Sequence, residues 1–304
     1  MASPQFIFLF LDGVGLAEDC SSNPFISADA TPFLNQVLGG PLLSGLWVDT
    51  PKILFQPIDA RLGVPGLPQS ATGQTALYTG CNAPAFLGRH LTAFANGSLR
   101  SLINASGMFK QALALGGSVT HTNFYPPAYF EAIAQRRARY SVGTLLALTA
   151  GVPFRMSKNY AQGEAIYWDI TGERLKDRGV EVPAVTPQEA GQRLASLGTQ
   201  HHLALFECYL PDYAGHHQDM AQALQVIALV DALIESVVAH LSSQVTLIVS
   251  SDHGNIEDLS SKSHTLNPVP LLVIGPEATA FKNVHAITDI TPKIVELLSV
   301  ESFA

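Results

Sequence analysis

The sequence predicts an α/β protein built on a doubly wound, mostly parallel sheet with helices on both faces. Three observations carry that expectation. Strand-length runs at 5–11, 202–207 and 245–249 are almost continuously apolar, as in strands covered on two sides. Helical signals, among them the amphipathic stretch 218–241, alternate with these runs. Acidic and imidazole residues stand just beyond several of the runs, where open α/β sheets bind their ligands.

In chain order, residues 5–11 read as a central strand ended by Asp12-Gly13-Val14-Gly15. That Gly-x-Gly lacks the third glycine of a dinucleotide fingerprint, which counts against a nicotinamide or flavin site. Thr31-Pro32 reads as a helix start, with Thr as N-cap and Pro at the first position. A Gly/Pro loop at 63–68 precedes Ser70, which the pattern makes the N-cap of a helix running through Leu77. A hydroxyl there also lies beside unpaired helix N–H groups, where an oxyanion is stabilised. A short helix is expected over 107–115, with Ser106 as its cap, and a strand over 118–124.

Between 125 and 185 the pattern changes. Residues 165–169 read as a short strand, and Arg136, Arg137, Arg139 and Arg155 fall in this stretch, either as a solvated helix face or as a substrate clamp. We take 125–185 as an inserted cap or substrate region between two parts, 1–124 and 186–304, of one α/β core. Thr186-Pro187-Gln188-Glu189 opens a helix, and 202–207 returns to a strand. Asp212 and His216 are then spaced so that one helical turn or a tight loop aims both at one point. The helix 218–241 buries Ile227, Val230, Ile234, Val237, Val238 and Leu241 on one face. The strand 245–249 leads into Ser251-Asp252-His253-Gly254-Asn255. His264 opens the approach to a strand at 271–274, and a last helix covers about 291–298.

Composition narrows the function classes. The 304 residues are 47% apolar and 14% charged, as in a soluble globular protein. A net charge of −8 with only 17 Lys+Arg argues against nucleic acid or an anionic membrane as partner. An anionic substrate would need a few placed arginines or a metal. Cys20, Cys81 and Cys208 are far apart and form no CxxC, which makes neither a disulfide framework nor a thiolate zinc site. With no signal-peptide pattern and no apolar run of spanning length, a cytoplasmic location is expected.

Burying Asp252 beside His253 is unfavourable unless a charge holds them, although an Asx-type turn with a solvated His would show the same residues. The wider set decides the reading. Asp12, Ser70, Asp212, Asp252 and His253 all lie at predicted strand ends or helix starts on one side, and His216 and His264 adjoin them. Seven oxygen and nitrogen donors are too many for one tetrahedral zinc; they suit two divalent cations such as Mn²⁺ or Zn²⁺.

These residues carry a resemblance. The set Asp12-Gly13, Ser70-x-x-Gly73, Asp212-x-x-x-His216, Asp252-His253-Gly254-Asn255 and His264-Thr265-x-Asn267-x-Val269-Pro270 resembles the alkaline phosphatase superfamily. It is most similar to the branch of cofactor-independent phosphoglycerate mutase and phosphopentomutase. The resemblance covers about 5–80 and 186–300. It implies an alkaline-phosphatase-like fold with one metal on Asp212, His216 and His264, and a second on Asp12, Asp252, His253 and the Ser70 oxygen. It implies Ser70 as the phosphorylated nucleophile, with Thr72 as runner-up. His217 is the substitute for His216 if the register shifts by one.

The resemblance thus implies phosphoryl transfer through a phosphoserine, by a phosphatase or phosphomutase acting on a small phosphorylated metabolite. Arg89, His90, Arg136, Arg137, Arg139 and Arg155 are the candidates to grip it. Two alternatives stand beside this: a phosphodiesterase or other ester hydrolase on the same scaffold, and a non-catalytic metal-binding relative.

Overall fold

The computed structural model describes residues 3–27 and 29–299. Seven strands form one sheet: β1 (Gln5–Leu11), β2 (Val48–Asp49), β3 (Ile53–Ile58), β4 (Val119–His121), β5 (Leu203–Cys208), β6 (Val245–Ser250) and β7 (Val269–Ile274). Their order is β2-β3-β7-β6-β1-β5-β4. β4, β5, β1 and β6 are mutually parallel; β7 runs against both β6 and β3, and β2 against β3. Five strands therefore point one way, and the sheet is mixed but mostly parallel, as expected.

β1 sits in the middle because its alternate residues are apolar on both faces. Ile7, Leu9 and Leu11 pack under the helices Pro187–Gln200 and Met220–His240, whereas Phe6, Phe8 and Phe10 pack under Ser70–Thr79 and Ile287–Ser299. Full burial of each such side chain contributes about 1.5–3 kcal/mol. Met220–His240 is long and apolar enough to cross a membrane, but it is a core helix here, with Ile227, Val230, Leu233, Ile234 and Val237 buried against the sheet layer. Val238 and Leu241, expected on the same face, are only partly buried.

The Pro187–Gln200 helix starts in a reciprocal capping box: Glu189 N–H donates to Thr186 Oγ1 at 3.1 Å, and Thr186 N–H donates to Glu189 Oε2 at 2.9 Å. At Pro32–Leu38 the cap comes from elsewhere. Thr31 makes no side-chain cap; instead Asp231 accepts from Phe33 and Leu34 N–H at 3.0 and 2.9 Å.

Several boundaries differ from the sequence reading. Ser106 ends one helix, Gly97–Ser106, rather than capping the next, Met108–Ala114, whose cap is Gly107. The strand expected at 118–124 shortens to Val119–His121, and 165–169 forms no strand beyond a bridge between Asn123 and Ile166. Residues of the 125–185 stretch enter both layers: Val142 and Leu146 join the Phe6–Phe8–Phe10 side, and Tyr160 and Ile166 join the other.

Candidate metal centre

Asp12 directly follows β1, Asp252 and His253 follow β6, and Asp212 lies on the helix Leu210–His217 that follows β5. Three adjacent parallel strands thus deliver three carboxylates to one edge, as strand ends of a parallel sheet must. Ser70 reaches the same edge from the first turn of Ser70–Thr79.

Ser70 is the first helical residue and Gln69 is the cap, one position earlier than the sequence suggested. The consequence is chemical. The capping role falls away from Ser70, and its Oγ lies 3.0 Å from His253 Nε2. The Thr72 hydroxyl is buried and engaged elsewhere: it donates to Gln69 O at 3.1 Å and accepts from Leu91 N–H at 3.1 Å.

Two donor clusters meet at His253. One ligand atom each from Asp12, Asp252 and His253 lies within 4.8 Å of the others, and the same holds for Asp212, His253 and His264. His253 Nε2 is 3.3 Å from Asp12 Oδ1 and 3.5 Å from Asp252 Oδ2. Asp212 faces His216 at 3.3 Å and His264 at 3.6 Å. The His253 and His264 rings stack with centroids 3.7 Å apart. His217 turns away, with Nδ1 on Tyr213 O at 2.6 Å, so His216 is the residue that meets Asp212.

Outer contacts hold these groups. His264 Nδ1 donates to Pro68 O at 2.9 Å and His216 Nδ1 to Lys262 O at 2.7 Å, which leaves both Nε2 atoms free to ligate. Asn255 Nδ2 donates to Asp212 Oδ1 at 2.6 Å, and Gln74 Nε2 to Asp252 Oδ2 at 3.2 Å.

The electrostatics test whether cations fit. Burial, then the Asp252 and Asp212 charges, hold the Asp12 carboxyl well above its ordinary range. Burial and then Asp212 push Asp252 up to about 8. Burial, then His264, hold His253 well below its usual value, so its imidazole is neutral. Asp12 Oδ1 and Asp252 Oδ1 are buried without a hydrogen bond. Buried carboxylates this close, beside the neutral His253 imidazole, need positive charge to ionise together, and divalent cations supply it. The residues fit the group.

Two buried carboxylates escaped the sequence reading. Glu257 accepts from Gly15 N–H at 2.9 Å, Asn255 N–H at 2.7 Å and Asn267 Nδ2 at 3.1 Å, and from the Thr265 hydroxyl. It ties the loop after β1 to the turn after β6 and to the His264 segment. Glu207, at the end of β5, accepts from the Tyr78 and Tyr209 hydroxyls at 2.7 Å each and faces His121 Nε2 at 3.1 Å. An acidic residue closing an otherwise apolar run was the signal for Glu207; Glu257 gave none.

The candidate substrate residues separate. Arg137 and Arg139 line a cavity of about 460 Å³ beside Tyr209 and Glu207. Arg136 is exposed in the same turn, with φ 59°. Arg89 is exposed, and His90 Nε2 donates to Val64 O at 3.3 Å. Arg155 lies apart from that cavity lining, with its guanidinium held by Thr120 Oγ1 at 2.9 and 3.1 Å and by Glu164 O at 2.8 Å, beside β4.

Residues 187–302 match the family model described as the Metalloenzyme superfamily. That match is confined to the C-terminal part of the chain, which supplies β5, β6 and β7 of the sheet with Asp212, Asp252, His253 and His264. The chain's curated relatives include 2,3-bisphosphoglycerate-independent phosphoglycerate mutases. The one from Desulforudis audaxviator (strain MP104C) is 39% identical over 97 residues, 29% of this chain and 19% of that protein. The one from Syntrophotalea carbinolica is 31% identical over 130 residues, 40% of this chain and 25% of the relative. The chain therefore spans only 19% and 25% of the lengths of these relatives. Alkaline phosphatase from the Antarctic bacterium TAB5 superposes with TM-score 0.52 at 14% identity, covering 98% of this chain and 99% of that one. The cold-active enzyme from Shewanella sp. gives TM-score 0.55 at 16% identity, with 96% and 99% covered. At such identities the likeness is one of fold.

Proposed function

We propose that this protein is a two-metal phosphoryl-transfer enzyme that works through a phosphoserine at Ser70, as a phosphatase or phosphomutase on a small phosphorylated metabolite. The observation that carries this reading is the 3.0 Å approach of Ser70 Oγ to His253 Nε2, the imidazole shared by both donor clusters. Asp12, Asp252, His253 and Ser70 would hold one divalent cation, and Asp212, His216 and His264 the other. A donor set of carboxylate oxygen and imidazole nitrogen without thiolate suits Mn²⁺ or Zn²⁺. When bound, the cations would lower the pKa of the Ser70 hydroxyl and neutralise the transferring phosphoryl group.

The chain's own residues do the positioning. The N-terminus of Ser70–Thr79 places partial positive charge where phosphate oxygens would lie. Gln74 and Asn255 fix the Asp252 and Asp212 carboxylates. Ser70 Oγ attacks phosphorus and the alkoxide of the ester leaves. Water on the phosphoserine then gives a phosphatase, and a second substrate hydroxyl gives a mutase. We assign the anion-gripping role to Arg137 and Arg139, on a 125–185 stretch that forms the substrate-side cap. The three free thiols suit a reducing compartment, and we place the protein in the cytoplasm.

The test combines metal analysis with turnover. Near two divalent ions per chain and Mn²⁺-dependent hydrolysis of p-nitrophenyl phosphate, abolished in Ser70→Ala, are expected. Turnover unchanged in Ser70→Ala rejects the nucleophile. Preference for the bis-ester makes the enzyme a diesterase, and no metal uptake makes it a binding relative.

A further inference from the structure

The cavity lined by Arg137, Arg139, Glu207 and Tyr209 also has aromatic walls that the phosphoryl-transfer chemistry does not require. Its volume, about 460 Å³, falls within the range of roughly 300–1,000 Å³ for sites that enclose a drug-sized ligand. A three-carbon phosphate ester would leave most of it to water. The walls are aromatic: Phe94, Tyr125, Tyr129, Trp168 and Tyr209. Tyr125 and Tyr129 are tilted together at 5.4 Å between centroids, and Trp168 and Tyr209 at 6.1 Å. Arg174 lies over the Trp168 ring at 5.7 Å, and walls of this composition suit a planar guest. Arg139 lies 5.9 Å from the Phe94 centroid, and among the described residues neither Arg137 nor Arg139 forms an ion pair. A guanidinium that grips an anion through its N–H edge still offers a flat face to a heterocycle.

Two walls join the cavity to the reacting edge. Tyr209 is the N-cap of the helix that carries Asp212. Phe94 lies on the loop whose Leu91 N–H donates to Thr72, two residues from Ser70, at 3.1 Å. An ester with its phosphate at Ser70 would therefore send its organic part between these walls.

We infer that the cavity seats a flat aromatic ring carried by the alcohol part of the ester, and that the substrate class is a nucleoside monophosphate; this rests on the phosphoryl-transfer reading above. A bare sugar phosphate or a phosphoglycerate has nothing to place against these aromatic walls.

The test is titration calorimetry on Mn²⁺-loaded Ser70→Ala protein, with adenosine 5′-monophosphate against ribose 5-phosphate. The nucleotide should bind at least about tenfold tighter, the scale of one stacked base. Trp168→Ala and, separately, Tyr129→Ala in that background should bring the two affinities within about threefold, with circular dichroism confirming that each variant is folded. Equal affinities at the outset, or a ratio that neither substitution moves, would overturn the inference. Turnover of p-nitrophenyl phosphate by the unsubstituted protein reports on the parent reading separately. Selective nucleotide binding without turnover of any ester would uphold the ring-binding cavity and sink phosphoryl transfer.

Discussion

Gly73 packs directly on Asp252: a Cβ at Gly73 would fall 2.8 Å from the Asp252 carbonyl oxygen and 2.9 Å from its Cβ. The spacing Ser70-x-x-Gly73 is thereby explained. One helical turn below Ser70, the helix must touch the backbone that carries Asp252 and His253, and only a residue without a side chain allows it. Gly73→Ala should push the helix from Asp252 and lower kcat at least about 100-fold, because small misplacements at a reacting centre have effects of that size. The measurement is phosphate release alongside thermal unfolding. A variant with full activity would show that the contact is not what sets Ser70.

Glu257 satisfies four donors from three separate segments while fully buried. Glu257→Ala leaves those donors unpaired and should destabilise the fold by ~3–5 kcal/mol. Urea unfolding reads this as a lower midpoint at constant slope. A loss below ~1 kcal/mol would mean that water replaces the carboxylate.

The crowding of Asp12, Asp212 and Asp252 predicts that metal binding stabilises the native state. Removing metal with EDTA should lower Tm by several degrees and abolish turnover, and excess Mn²⁺ should restore both. An unchanged Tm on chelation would separate these carboxylates from any cation.

Arg155 is bonded beside β4, and its substitution separates a bracing role from substrate binding. Arg155→Met removes two bonds to Thr120 Oγ1 and one to Glu164 O, and should reduce stability by ~1–3 kcal/mol while kcat/KM stays within about twofold. A large rise in KM with unchanged stability would return Arg155 to the substrate.

Burial pushes the Cys208 thiol up to about 12, whereas Cys20 is exposed. A raised thiol pKa leaves almost no thiolate at pH 8, and thiolate is the reactive form. Ellman's reagent should label Cys20 rapidly and Cys208 only after unfolding. Rapid labelling of Cys208 in the native protein would contradict its burial.

What the sequence showed depended on whether a signal was local. Asp12, Asp252 and His253 were legible because apolar runs place strand ends, and a parallel sheet brings strand ends together. β3 was not legible, since Pro57 sits inside it and proline demotes a run to loop or edge. Here Pro57 stands opposite Pro270 in an antiparallel pair that the sequence could not show. Ser70 slipped by one position because cap and first helical residue have similar preferences. Glu257 was missed because its partners lie in segments whose meeting is set by the whole fold.

β1 has no neighbours other than β5 and β6, so residues 5–11 stay unpaired until 203–208 and 245–250 exist. During synthesis the ribosome releases Asp12 and Ser70 long before the strands that would gather them. On the two-metal proposal, cation capture is therefore among the last events of biogenesis, since a product interrupted before residue 250 lacks Asp252, His253 and His264.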